Sequence, residues 1–222
     1  MIQVNALHFS RLDGAKPRPI LSDLQLTLAP GEQCSLVGDS GTGKTTLLNL
    51  LAGLEPLQSG EVTVGGQSLS GQNATALAHF RRQIGIVFQS FQLLESLSIR
   101  DNILLPFRLN GGRGQPDRLA SLCDALGLTP LLDRYPMQLS GGEQQRVAVC
   151  RALVHRPRVI LADEPTGNLD EGNSQRVVSA LQTLAREQDT TLLMVTHSQA
   201  LARQFDRQLR LHDGQLHEVS AP

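Results

Sequence analysis

Tryptophan is absent from this 222-residue chain, tyrosine occurs once, and only three cysteines are present. So few aromatic rings leave few candidates for stacking on nucleobases. Cys34, Cys123 and Cys150 are far apart and odd in number, and no C-x-x-C occurs. Neither a disulfide framework nor a zinc site is supported, and a reducing cytoplasm is the expected setting. Charge of either sign is scattered, with 20 basic and 21 acidic residues giving a formal charge of -1. A protein gripping a nucleic-acid backbone carries a basic stripe, and none is visible, so no nucleic-acid partner is expected. No apolar run approaches the ~20 residues that cross a bilayer. Residues 1–5 also lack the basic and apolar regions of a signal peptide. If the chain works at a membrane, a partner holds it there.

What the chain does contain is Gly38-Asp39-Ser40-Gly41-Thr42-Gly43-Lys44-Thr45, an uninterrupted G-x-x-x-x-G-K-[ST]. The apolar stretch 34–37 before it reads as a buried strand, and 44–51 after it as a helix. Glycines let several backbone N–H groups converge on one anion, and the helix N-terminus adds partial positive charge. Lys44 then neutralises the β- and γ-phosphates, and the Thr45 hydroxyl is placed to ligate Mg²⁺. Together with Thr46 these residues form the candidate nucleotide cradle. The bland alternative is a glycine-rich turn before an ordinary helix. Chance gives the octet roughly once in a hundred chains of this length, and the flanking strand and helix make it rarer. The chain is expected to bind a nucleoside triphosphate.

Around the loop, residues 2–9, 20–28 and 61–64 read as short strands of an N-terminal antiparallel β subdomain. Residues 84–88 form a further strand candidate. From about 96 to 138 the pattern turns helical and broken, with Pro106, Gly111, Gly112, Gly114, Pro116, Pro130 and Pro136, which predicts an inserted helical lobe. A helix over 143–154, a strand over 159–162, a helix over about 173–187 and a strand over 191–195 follow. The tail predicts a hairpin, 208–211 with 215–219, on the Asp213-Gly214 turn. Alternating strands and helices predict a parallel sheet covered on both faces. The expected fold class is α/β, a P-loop NTPase core in a single domain over 1–222. About 1–89 and 140–222 form the core and about 90–139 the helical subdomain.

Residues 159–164 form an apolar strand ending in Asp163 and Glu164. In a parallel sheet such ends face the ligand crevice, which sets Asp163 beside a metal and Glu164 where it can polarise a water. A solvated acidic turn explains the pair in isolation, but less well beside a phosphate loop. His197 likewise ends an apolar strand; a lone histidine there is ordinarily structural, yet it shares the edge with Lys44 and Glu164. In 139–147, Ser140 with Glu143 is a capping box that merely starts a helix. Gly141 and Gly142, however, each cost up to about 1 kcal/mol in a first turn. They make sense if a phosphate must approach that helix end closely. One triphosphate does not need two such helix ends; two chains packed head to tail would use both.

In this order and spacing, 38–45, Gln89, 139–145, 161–164, Asn168-Leu169-Asp170 and His197 resemble an ATP-binding-cassette ATPase over essentially the whole chain. The resemblance implies an ATP-sandwich dimer. The phosphate loop, Asp163, Glu164, Gln89 and His197 of one subunit would face Ser140, Gly141, Gly142 and Asp170 of the other. It implies Glu164 as general base, His197 at the γ-phosphate, and Gln89 joining Mg²⁺ coordination to the mobile lobe. Arg146 would brace the signature helix. Residues 87–94 and 164–170 further resemble the lipoprotein-release and macrolide-export group, closest to its YbbA-like branch. That implies ATP hydrolysis coupled to an integral membrane permease of the MacB/FtsX type, with the subunit peripheral on the cytoplasmic face of a bacterial inner membrane. Mechanotransmission to an envelope process stays open, since the difference lies in the partner. A soluble cassette of DNA repair or translation would carry coiled-coil, zinc or tandem modules, which are not visible.

One position departs from the family pattern. Where members place an aromatic to stack on adenine, this chain reads Phe9-Ser10-Arg11-Leu12, and the slot holds Arg11. A guanidinium lies flat on a base and supplies part of the stacking, so weaker discrimination of ATP from GTP is expected. The apolar connection 91–99 has two readings. Its residues pack the lobe against the core, or they form a groove for a membrane subunit's helix, in which case replacing Leu94 and Leu97 with glutamate is expected to abolish membrane recruitment and spare ATP binding.

Overall fold

The computed structural model describes residues 1–14, 16–114 and 116–219. Strands β1 (Ile2–Asp13) and β2 (Lys16–Leu28) form a long antiparallel hairpin. Burial switches from Ile2 and Val4 to Leu7 and Phe9, because the register shifts at Ala6, whose φ is 48°. Asp23, at φ 49°, does the same on β2 between Leu21 and Leu24. One extra residue flips every later side chain to the other face, so the paired irregularities keep both strands facing inward.

The fully buried β3 (Gln33–Val37) leads into α1 (Lys44–Leu51), then β4 (Ser59–Val64) and β5 (Gln67–Ser68). Helix α2 (Ala74–Arg81), which the sequence pattern did not announce, starts where the Asn73 side chain accepts the Ala76 N–H at 2.9 Å. After β6 (Gly85–Val87) come α3 (Ile99–Leu109), α4 (Leu119–Ala125) and two 3₁₀ turns, Thr129–Leu131 and Pro136–Gln138. Then α5 (Gly141–Leu153), β7 (Val159–Asp163), α6 (Glu171–Arg186) and β8 (Thr191–Val195) alternate. A short α7 (Gln199–Ala202) and the hairpin β9 (Arg207–His212) and β10 (Gln215–Glu218) end the described chain. Asp213 and Gly214 both take positive φ at that turn, as an Asp-Gly hairpin requires.

Two sheets result. The antiparallel one runs β2-β1-β4-β5, and the central one runs β10-β9-β3-β8-β7-β6 with only β10 antiparallel. Alternate residues of each central strand enter different cores. Val159, Leu161, Leu193 and Val195 join α1 and the antiparallel sheet, whereas Ile160, Ala162, Leu192 and Met194 join α5, α6 and the helical lobe. That is why these strands read as continuous apolar runs rather than alternating ones.

Candidate nucleotide site

Strands β3, β8, β7 and β6 lie side by side, with Leu36 opposite Val195, Val195 opposite Asp163, and Ala162 opposite Val87. Being parallel, they deliver 38–45, His197, Asp163 with Glu164, and Gln89 to one edge of the sheet, neighbouring strands ~4.8 Å apart. The loop needs its last glycine on steric grounds. Gly43, at φ 105°, caps α1, and a Cβ there would meet Ile20 Cγ2 at 2.6 Å. Lys44 curls back so that its Nζ donates to the carbonyls of Gly38 (2.9 Å) and Asp39 (2.8 Å). Burial lowers its pKa, while Glu164, Asp163 and Asp39 pull the other way. Asp39, Ser40, Gly41 and Thr42 border an open cavity shared with Arg18 and His212.

The Thr45 hydroxyl donates to Asp163 Oδ1 at 3.3 Å. Burial pushes the Asp163 carboxyl above its ordinary range, and the Thr45 hydrogen bond partly offsets this. Glu164 has left the strand conformation, with φ 45°, and its N–H still donates to the Val195 carbonyl at 3.0 Å. Its Oε1 lies 2.7 Å from His197 Nε2. Gln89 is held over the next loop: a Cβ on Gly167 would come within 2.6 Å of Gln89 Nε2, and Asn168 Nδ2 donates to the Gln89 carbonyl at 3.1 Å. Two oxygen donors on adjacent elements, Thr45 and Asp163, form the kind of pair that suits a hard dication.

Arg11 reaches this site from the hairpin. One Nη donates to Glu55 Oε1 at 2.6 Å and lies 3.4 Å from the Thr46 hydroxyl, in the first turn of α1. Its guanidinium stands 5.6 Å from the Phe9 ring centroid.

At the other helix end, Ser140 caps α5. Its N–H and hydroxyl donate to Glu143 Oε2 at 2.7 and 2.8 Å, the capping box expected from sequence. The cap moves the helix start to Gly141, two residues earlier than the apolar pattern suggests. Gly142 packs beside Asn173, which Asp170 caps through its N–H at 2.9 Å. Ser140, Gly141, Gly142 and Asp170 therefore form one surface, built from the starts of α5 and α6. The arginine of α5 that makes bracing bonds is Arg151, not Arg146, which forms no hydrogen bond among the described residues. Arg151 donates to the carbonyls of Phe91 (2.7 Å) and Gln92 (2.5 Å).

An apolar groove opens beside Gln92 of the connection. It is lined by Ala78 and Arg81 of α2, Ile86 of β6, Phe88, Gln92, and Leu105, Pro106 and Leu109 of α3. Leu94 and Leu97 do not line it; their main chain is wrapped around the buried Asn102 side chain, and Leu94 is exposed. Asn102 Oδ1 accepts from the Leu94 N–H at 2.8 Å, and Asn102 Nδ2 lies 3.0 to 3.1 Å from the carbonyls of Leu94, Leu97 and Ser98. Neither Asn102 nor Arg151 carries a motif, so sequence reasoning passed over both.

A family model described as ABC transporter matches residues 21–167. The chain is 46% identical over 221 residues to an uncharacterized ABC transporter ATP-binding protein, YbbA, of Escherichia coli K12, covering 98% of this chain and 97% of that one. It is 42% identical to the lipoprotein-releasing system ATP-binding protein LolD 1 of Rhodopirellula baltica, covering 97% and 96%. Among solved structures, the ATP-binding cassette MJ0796, a dimer in a post-hydrolysis state with ADP and Pi, superposes with a TM-score of 0.89 at 31% identity over 100% of both chains.

Proposed function

Because this chain belongs to the ABC transporter family as an ATP-hydrolysing cassette, we propose that Glu164 is the general base of its hydrolysis. ATP hydrolysis in such a subunit powers a membrane transporter complex. Water attacks the γ-phosphorus, the bond to the bridging oxygen breaks, and Glu164 accepts the water's proton. His197 orients that carboxylate and meets the γ-phosphate, while the backbone N–H groups of 38–45 and Lys44 hold the phosphate chain. Thr45, Asp163 and Gln89 would hold Mg²⁺, which supplies charge neutralisation on the β- and γ-oxygens. The observation that carries this reading is the 2.7 Å contact of His197 with Glu164, one strand from the Thr45–Asp163 pair.

The second half-site comes from another copy of this chain, whose Ser140, Gly141, Gly142 and Asp170 cover the nucleotide. Arg11, fixed by Glu55, lies under the base. Residues 90–139 act as the lobe that moves against the core of 1–89 and 140–222. The groove beside Gln92 receives a helix of an integral permease of the MacB/FtsX type. The subunit thereby sits peripherally on the cytoplasmic face of the membrane, having among its described residues no helix long and apolar enough to cross it.

The test is Glu164→Gln. Hydrolysis should fall at least about a hundredfold, and with ATP and Mg²⁺ the variant should elute as a dimer in size-exclusion chromatography. Undiminished hydrolysis, or no ATP-dependent dimer, would refute the assignment. Wild-type assays with GTP beside ATP test Arg11: similar kcat/KM values are expected, and a strong ATP preference counts against its role.

A further inference from the structure

Phe91 and Gln92 are both left-handed, with φ of 54° and 51°, although neither is glycine. Each such residue is strained, and two in succession persist only where their surroundings over-determine them. The Gln92 N–H donates to the Ser90 carbonyl at 2.5 Å, closing a tight turn. The outward carbonyls of that turn are held by one side chain, Arg151, with Nη2 on Phe91 (2.7 Å) and Nη1 on Gln92 (2.5 Å). Among the described residues no carboxylate lies within ion-pair distance of Arg151. Burial pushes the guanidinium down to about 10, so it stays charged at neutral pH. A half-buried cation whose partners are two main-chain carbonyls helps fix their positions, because losing them leaves the charge unpaired.

The same turn lies beside the other end of the same helix. Phe91 Cζ lies 3.7 Å from where a Cβ on Gly141 would stand. Gln92 and Arg151 also line the apolar groove. The turn is thus bonded to the last turn of α5 through its carbonyls and sets its ring beside the first, with Gln92 facing the groove.

We propose that Arg151 is a positioning residue that locks the strained Phe91–Gln92 turn to α5, so that displacement of Gln92 in the groove is transmitted to Gly141. What the transmission serves rests on the function proposed above; the bracing does not. A guanidinium forks to two acceptors and an ammonium cannot do so in the same geometry, so Arg151→Lys keeps the charge and removes the lock.

Hydrogen exchange read by mass spectrometry tests this without hydrolysis. Arg151→Lys should speed exchange about tenfold or more in residues 90–94 and in 143–147, leaving 38–46 unchanged. Adding Gln92→Gly, which takes positive φ without strain, should return both segments toward wild type. Phe91→Leu, which keeps Arg151 but withdraws the ring, should release 143–147 alone. In ATPase assays Arg151→Lys should lower kcat about tenfold, with the Kd for a fluorescent ATP analogue within about twofold of wild type, and Gln92→Gly should restore kcat. Unchanged exchange in 143–147, uniform acceleration across the chain, or failure of Gln92→Gly to restore either readout would overturn the proposal. A wild-type protein that does not hydrolyse ATP would refute the function above and leave this inference to be decided by exchange.

Discussion

At Glu164 the strand ends and strain begins. A left-handed glutamate costs about 1–3 kcal/mol, and such residues persist where the fold over-determines them. Here the Val195 carbonyl holds its N–H and His197 its carboxylate, on one neighbouring strand. That Lys44, Asp163, Glu164 and His197 share one edge of the sheet was legible, because Asp163, Glu164 and His197 follow apolar runs, the loop carrying Lys44 follows another, and parallel strands bring such ends together. The left-handed backbone was not, since it depends on a partner 31 residues further along the chain. Glu143 shows a local effect that can be measured. The Ser140 N–H and hydroxyl hold its carboxyl below the usual range. A depressed folded value means stabilisation that is complete above the unfolded pKa, about 4.3 for glutamate, and lost as pH falls through the folded one. Glu143→Gln should therefore lower Tm at neutral pH by about 2–4 °C, one cap's worth, and by progressively less in acid. A pH-independent difference between the two melting curves would show that the carboxylate is not what the cap uses.

Among the elements, α5 carries the most unusual load. It starts at a capping box, presents two glycines, and ends at Arg151. Between them Gln145 is fully buried, with both side-chain polar atoms unpartnered among the described residues. An unsatisfied buried amide costs about 1–3 kcal/mol, so Gln145→Met, similar in length and apolar, should raise Tm by roughly 2–4 °C. A lower Tm would mean that the amide finds partners and contributes to the helix. Strongly periodic or fully apolar elements were readable in advance, and α1, β7 and β8 lie within a residue or two of expectation. Helix α2 was not, since only Phe80 of its eight residues is buried and its start is set by the Asn73 cap. The starts of α5 and α6 were late for the same reason: caps, not apolar periodicity, set them.

Over the whole molecule, the central sheet separates two cores, and the groove opens where α2, β6 and α3 meet. Sequence located the apolar connection but not the way the Asn102 side chain, a few residues further on, wraps the main chain of 94–98. Leu109 lies in the groove and is 50% exposed. Leu109→Glu should abolish recovery of the protein with native membranes while sparing ATP binding, whereas Leu94→Glu should leave recovery intact. The reverse pattern would move the docking surface back to the connection.

The strand order has one consequence for how the chain is made. β3, which leads into the phosphate loop, lies between β8 and β9, with Cys34 opposite both Leu193 and Arg207. As the ribosome lengthens the chain, that strand has neither neighbour until residues past 190 emerge, and it lacks the second until β9 follows. The phosphate loop is synthesised in the first quarter of the chain but cannot be fully seated until nearly the last. A nascent chain stalled or cut before residue 207 would carry every residue of the nucleotide site and still expose one edge of β3.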